Sequence, residues 1–379
     1  MRRRDWFEKL TYLKVAALER PDPVAQRHFH LALTGLEGVL EGQAGSGSFD
    51  SIHGLSGYAW PLPLKAEERQ RLERLGARLW KASGVGRTQA EQWLLLQVAA
   101  QASPDSLPFF RAAVEASRER DALQAQRRRA AVAAVAFIAH QTGADAVHAQ
   151  LEAWLTHPDV TVRTQAVDLY GRLHVQELGR LADAPRAVLE RVAYTERAFP
   201  PRFLARGWLH VAGVPVRVEP PDGVYAFKAS LGRASRTVEL RASQSLAQLA
   251  SAILGAFRWG NDHLYEFALT ADLKDGRFIL PDPDEEAFGM DWGFEEDSEQ
   301  QAPTASDADA FEAPSRMSLP LGAFGFTRGH KLIFHFDFGD DHRFQVTVVD
   351  IHEHRAPRAK YPRVVAETGK APEQYPHVD

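Results

Sequence analysis

The apolar residues of this chain change period once, and that change limits the folds open to it. From the N-terminus to about Tyr194 they recur every three to four residues, with few β-branched runs and with breaks at Pro or Gly, as in helices that each bury one face. Beyond Ala198-Phe199-Pro200-Pro201 they alternate, as in strands with one buried side. The pattern predicts an all-α domain over 1–198 and an α+β domain over 199–379. Helices are expected at 5–19, 24–40, 65–81, 88–102, 106–124, 127–141, 144–156, 159–173 and 185–195. Strands are expected at 208–219, 225–231, 237–241, 263–270, 331–338 and 343–354, with a hairpin around Gly232–Ser235. A single helix is expected over 243–257, with Ser243 as N-cap and Leu246, Leu249, Ile253 and Leu254 as its core stripe. One helix across a mixed or antiparallel sheet is an α+β arrangement.

Within the helical half, LEAWLTHPDVTVRTQAVDLYGRL (Leu151 to Leu173) resembles a HEAT repeat: an apolar helix stops at His157-Pro158, Asp159 can cap the next helix, and Val162-Arg163 opens its inner face. Shifted back 35 residues, Arg128, Val132, Ala134, Val135 and Ile138 fall on Arg163, Val167, Leu169, Tyr170 and Leu173. Stacked hairpins of this kind offer a concave surface to a partner, whereas a plain helical bundle would not. Arg127, Arg128, Arg129 and Arg163 are the candidate partner-binding residues. On a helix, however, three successive arginines fan over about 300°, so a solvated helix start is the simpler account of the run. The Gly/Ser-rich interval from Glu41 to Ser56 reads as a mobile loop.

Composition excludes several chemistries. The chain has no cysteine, which removes disulfides, cysteine nucleophiles, iron–sulfur clusters and thiolate zinc sites. The longest apolar stretch, Ala130 to Ala139, is half of the roughly 20 residues a spanning helix requires. The start MRRRDWFEKL lacks the apolar core of a signal peptide. A cytoplasmic chain without membrane contact is therefore expected. Twelve acids and no Lys or Arg lie between Pro281 and Glu312, so 281–316 reads as a polar, flexible insertion. The rest of the chain then carries 45 basic residues against 38 acids, a mild excess that permits nucleic-acid binding without requiring it. No GxxxxGK[ST], GxGxxG after a strand, HExxH or GxSxG is present. The tryptophans Trp6, Trp60, Trp80, Trp93 and Trp154 fall on apolar helix stripes and read as core.

Four pieces of the second half carry a further resemblance: VYAFKASL, the helix running into FRWGNDHLYEFAL, FHFDFGDDHRFQV and the late YPRVVAETGKAPEQ. In this order, from about Val224 to Glu373, the chain resembles the plasmid pRiA4b ORF-3-like domain family, also described as passenger proteins of insertion sequences. The resemblance implies a compact α+β domain, somewhat like a β-grasp, from plasmid and mobile-element settings, with no assigned activity. The recombination suggested by its transposon setting has no serine- or tyrosine-recombinase active site here. The chain departs from the family where relatives commonly carry Trp and His after the acidic hairpin, having His342 and Phe344. It departs again at Val364, Ala371 and Tyr375, where the late motif usually carries cysteines.

The candidate catalytic or metal-ligating residues are His263, Glu266, Asp337, Asp340, Asp341 and His342, enough oxygen and imidazole donors for a divalent ion that could activate water. Strand geometry weighs against convergence. His263 and Glu266 are three apart and so point to opposite faces, and Asp337 is expected beside His335, away from a core-facing Phe334, Phe336 and Phe338. A tight turn at Gly339-Asp340-Asp341, with Asp side chains accepting from backbone N–H groups, is the simpler reading. His263 could equally be a core histidine satisfied by Asp337. The leading expectation is a non-enzymatic interaction or scaffold protein of plasmid or mobile-element settings, binding a protein or nucleic-acid partner, with no cofactor. A metal-dependent hydrolase or nuclease, and a DNA-binding accessory protein, are the alternatives.

Overall fold

The computed structural model describes residues 34, 37, 65–79, 94, 95, 97–99, 101–115, 122–175, 181–270, 275–282, 317 and 319–375. The expected helix at 5–19, the loop at 41–56, nearly all of the acidic insertion at 281–316 and the side chains of Trp6, Trp60, Trp80 and Trp93 lie outside them. Helices precede an antiparallel seven-stranded sheet carrying a helix, so the chain is a multidomain α+β protein. It divides into two compact units, 2–174 and 175–379.

In the helical unit, α1 (Ala66–Leu79), α2 (Leu107–Glu115), α3 (Ala122–Thr142), α4 (Asp145–Trp154) and α5 (Val160–His174) follow the expected spacing closely, though α3 begins five residues before the predicted start at 127. The apolar run Ala130–Ala139 lies inside α3, and every one of its residues is buried. α2, α4 and α5 pack on α3, so a helix apolar on all sides is a core helix. Trp154 is core, as expected. No helix among the described residues is long and apolar enough to cross a membrane. Asp159 caps α5, its Oδ1 accepting from Thr161 N at 2.7 Å, while its Oδ2 pairs with Arg128.

The second unit begins earlier than the change of period suggests. Its first helices are α6 (Asp183–Thr195) and α7 (Phe199–Val211), so the boundary expected at 198/199 falls instead between His174 and Val175. The predicted strand at 208–219 is also corrected, because its first four residues continue α7. Pro200 and Pro201 occupy the first turn of that helix, where a missing N–H and a fixed φ suit helix initiation. The remaining alternation is real but has no ladder: Val214, Val216 and Val218 are half-buried, Pro215, Arg217 and Glu219 exposed. Here the backbone bonds elsewhere, Arg217 N donating to the Tyr194 hydroxyl (3.1 Å) and Glu219 N to Gly322 O (3.1 Å).

The strands are β1 (Val224–Leu231), β2 (Ala234–Arg241), β3 (Tyr265–Ala268), β4 (Ile279–Pro281), β5 (Lys331–Phe336), β6 (His342–His352) and β7 (Arg363–Thr368). They run in the order β4-β3-β5-β6-β1-β2-β7, every pair antiparallel. A two-residue turn at Gly232-Arg233 joins β1 to β2, with Gly232 at φ +57°. β4 and β7, at the two edges, have too little apolar alternation to be predicted. One face, built from Tyr225, Phe227, Val238, Leu240, Phe334, Phe336, Phe344, Val346 and Val348, is buried. α8 (Leu246–Phe257) supplies Leu246, Leu249, Ile253, Leu254 and Phe257 as buried residues of the same core. Its N-cap is Ser245 rather than Ser243, because only Ser245 has a glutamine three residues on: Gln248 N donates to Ser245 Oγ and Ser245 N to Gln248 Oε1. α7 enters this core directly. Phe199 stacks on Phe326 (5.5 Å) and lies 4.1 Å from the His330 ring, and Phe203 meets Phe278 (5.9 Å) and Phe324 (5.8 Å). Each such buried ring contributes about 1.5–3 kcal/mol of transfer free energy, which explains why α7 sides with the sheet.

Candidate functional site

β5 was expected to run to Phe338 but stops at Phe336, because Asp337 takes φ +55°. Asp337 is 5% exposed, and its Oδ1 accepts from Gly339 N (3.0 Å) and Asp340 N (3.2 Å). Its carbonyl accepts from Asp341 N (2.8 Å), and its own N–H donates to Leu264 O (3.0 Å). The tight turn is therefore present, but Asp337 rather than Asp340 or Asp341 ties its N–H groups. Leaving the strand also turns Phe338 outward, 44% exposed and edge-on to the His335 ring, so it is not core-facing.

The remaining candidates separate into groups. Glu266 and His335 are direct neighbours across β3 and β5, on the open face, with Glu266 Oε1 3.0 Å from His335 Nδ1. Asp341 Oδ1 lies 2.9 Å from His335 Nε2, an ion pair when that ring is protonated. The hydrogen bond from Arg343 Nε (2.7 Å) holds the Asp341 carboxyl below its usual range. Asp340 offers its backbone N–H to the turn and keeps its side chain in solvent. His342 lies on the other face, its ring 4.6 Å from that of Trp259. His342 Nε2 is buried and, among the described residues, lacks a hydrogen-bond partner.

His263 forms a third group, and at 47% side-chain exposure it is not a core histidine. Its Nδ1 is 3.6 Å from Asp337 Oδ2, 3.3 Å from Asp262 Oδ1 and 2.8 Å from the Tyr375 hydroxyl. The last two contacts belong to a latch formed by the end of the described chain. Trp259 Nε1 donates to Pro372 O (2.9 Å), Gly260 N to Gln374 Oε1 (2.8 Å), and Gln374 Nε2 to Asp262 Oδ1 (2.8 Å). Tyr375 donates to the same carboxylate at 3.1 Å. Partial desolvation works against ionisation of Asp262, but the hydrogen bonds from His263 and Tyr375 outweigh it and hold the carboxyl low. Slight desolvation and the neighbouring Asp262 carboxylate raise the Tyr375 phenol. Among the described residues, no three His, Asp or Glu side chains are arranged to hold a metal ion.

Trp259–His263 and the 372–375 segment are thus two ends of one contact. Sequence reading marks both stretches but cannot pair them, since some 110 residues separate them and neither has a period that points at the other.

The arginines chosen as a partner-binding surface are engaged inside the helical unit. Arg127 and Arg128 are 4% and 8% exposed. Arg127 Nε donates to Ala113 O (3.2 Å), and Arg128 pairs with Asp159. Arg163 donates to His157 O (2.7 Å) and Pro158 O (3.0 Å). Arg129 is half-buried. Neither a solvated helix start nor a basic stripe describes this run: at Arg127 and Arg128 the helix is already at the core, and the guanidiniums satisfy carbonyls and a carboxylate there.

The pairing of the WGNDH stretch with the late PEQY segment, around an antiparallel sheet and one helix, is the setting for comparison with known proteins. Residues 227–375 match the plasmid pRiA4b ORF-3-like protein family. The matched stretch begins inside β1, runs through β7 with α8 and the latch, and excludes α6 and α7. Comparison with the curated proteins gives no match. A crystal structure of a protein of unknown function from Methanosarcina mazei Go1 is 20% identical, over 40% of this chain and 73% of that one, with a TM-score of 0.28.

Proposed function

We propose that this protein is a non-enzymatic interaction protein of plasmid or mobile-element settings, with a HEAT-like helical scaffold and a pRiA4b ORF-3-like recognition module that binds a protein partner. The observation that carries this reading is β7. It is an edge strand in which all six residues are exposed, Val364 and Val365 at 43% and 44% among them. Among the described residues one side of its backbone has no neighbouring strand, so an extended segment of a partner can add to the sheet there. Arg363 and Glu367 and the bulge opposite Thr237/Val238 make that edge selective. The acidic hairpin supports the same reading, since Asp337 closes a turn and Glu266 and Asp341 flank His335.

The test combines two measurements on the full chain. A photo-crosslinking residue at position 365 should give one discrete adduct in the native host, abolished by Val364→Lys. Melting with Mg²⁺, Mn²⁺ or Zn²⁺ should leave the transition of the native chain and of Asp337→Ala equally unmoved. A stoichiometric ion, with hydrolysis of a phosphodiester or amide lost in Asp337→Ala, would replace this reading with the metal-dependent hydrolase.

A further inference from the structure

A cavity of about 600 Å³ opens within the second unit, between the α6–α7 turn, the Glu219–Pro221 corner and the 322–328 segment. This volume is in the range of small-molecule sites, and it lies apart from β7 and from the acidic hairpin. Two guanidiniums form its floor. Arg206, 2% exposed, donates to Ala193 O (2.9 Å), to Gly322 and Ala323 carbonyls, and to the Glu219 carboxylate. Arg202 is different: among the described residues its donors reach only the carbonyls of Glu196, Arg197 and Gly325, and its buried Nε has no hydrogen-bond partner. Among the described residues no carboxylate forms an ion pair with it; the charges of Glu196 and Glu219 act on it only at longer range, and a second guanidinium, Arg206, stands beside it.

The fold is shaped to house this pair. Gly325 has φ +77°, and a Cβ there would come within 2.9 Å of Arg202 Nε and 3.2 Å of Arg206 Cζ. A side chain is thus excluded where the two guanidiniums approach the backbone. Burial, with Arg206 alongside, weakens the hold of Arg202 on its proton, although a guanidinium stays charged at neutral pH. Arg328, exposed on the rim, makes no ion pair among the described residues. The lining holds three glutamates beside its three arginines, so what it offers an anion is local, at Arg202 and Arg328, and not a net charge. Glu219 is engaged by Arg206, Glu196 caps Ala198 N (2.7 Å), and Glu353 is exposed at the mouth.

We propose that this cavity binds a small organic oxyanion, a phosphate ester or a carboxylate, with its charged group on Arg202 and Arg328 and its apolar body against Pro220, Pro221 and Ile351. Glu353 at the mouth disfavours polyanions such as a nucleic-acid backbone and so favours a ligand bearing one charged group.

Isothermal titration of the full chain at constant ionic strength, with inorganic phosphate and separately with acetate as probes, tests the assignment. Saturable binding of phosphate alone would assign a phosphate ester, and binding of both would assign oxyanions generally. Arg202→Gln should weaken either by about tenfold or more, the scale of a lost charged hydrogen bond. Arg328→Gln, at an exposed position that leaves the fold intact, should weaken binding several-fold. Lys228→Gln, on the open sheet face, should leave it unchanged. Phosphate raises melting temperatures by general exclusion from protein surfaces, so the contrast among variants decides. No binding of either probe at millimolar concentration, or equal binding by the native chain and both Arg variants, overturns the proposal. Neither result bears on β7, whose crosslinking is read separately.

Discussion

Two helical hairpins of this chain use arginine in the same way and end in different surroundings. In α4–α5, Arg163 is the fourth residue of the second helix and donates back to the carbonyls six and five positions earlier, His157 and Pro158. In α6–α7, Arg202 is again the fourth residue and donates back to Glu196 and Arg197, at the same two offsets. The cause is local. Side chains lean toward the N-terminus of their helix, so a long one in its first turn reaches the preceding loop, whose carbonyls have no helical partner. Beyond the hairpin the two diverge. α5 packs on α3 with its buried Ala130–Ala139 run, whereas α7 drives Phe199 and Phe203 among Phe278, Phe324, Phe326 and His330. A hairpin motif therefore says how its loop is closed and leaves its neighbours undecided.

The comparison breaks most readily at Phe203. Phe203→Ala should destabilise the second unit by about 3–5 kcal/mol, the usual cost of emptying a buried phenyl site. Hydrogen exchange should then show α6 and α7 losing protection together with β1 and α8, while α3 and α5 keep theirs. Loss of protection in α5 alongside α7 would place the two hairpins in one cooperative unit and undo the division at 174/175.

Acid should act on both hairpins next, through the histidines buried around them. Burial lowers the pKa of His330, whose ring lies tilted against that of Phe199, to about 4. The unfolded chain, with an ordinary value near 6.5, binds that proton first. The contribution of neutral His330 is thus fully present above about pH 6.5 and is lost as the pH falls toward 4, by about 3 kcal/mol in total. Denaturant midpoints of the second unit should follow that slope, and His330→Gln should flatten it. Burial also lowers His157 and His174 around α5, so the helical unit should weaken in the same direction.

The smallest effects concern the caps, where the hairpins differ. Asp159 caps α5, while Ala198, in the extended conformation a cap requires, offers no side chain to α7. Asp159→Ala should cost about 1–2 kcal/mol, and Ala198→Ser should stabilise α7 by about 0.5–1 kcal/mol. Equilibrium unfolding of each variant measures both. A stabilisation absent at Ala198 would mean that the two prolines of the first turn already set the start of α7.

Much of the local structure was legible before any coordinates. The helices of the first half, the β1–β2 hairpin and the core stripe of α8 follow from spacing alone. The Ser245–Gln248 box was also present in the letters, and attention to the third residue after each serine would have selected Ser245 over Ser243. The candidate site was legible only as a list. His263, Glu266, Asp337, Asp341 and His342 are all present, but the positive φ at Asp337 turns one carboxylate into the turn and Phe338 into solvent. Backbone dihedrals of that kind carry no periodic signal. His335, which joins Glu266 to Asp341, was visible only as a face-mate of Asp337, because strand pairing is not written in either strand.

What the sequence by itself determined is the order of elements, helices first and then strands around one helix, because period and capping depend on residues within a few positions of each other. The tertiary structure alone decided which core α6 and α7 join, that the 372–375 segment closes on Trp259–His263, and that Arg202 and Arg206 come to line one cavity. Those outcomes depend on groups separated by tens to more than a hundred residues, whose proximity comes from burying the aromatic faces of α7, α8 and the sheet together.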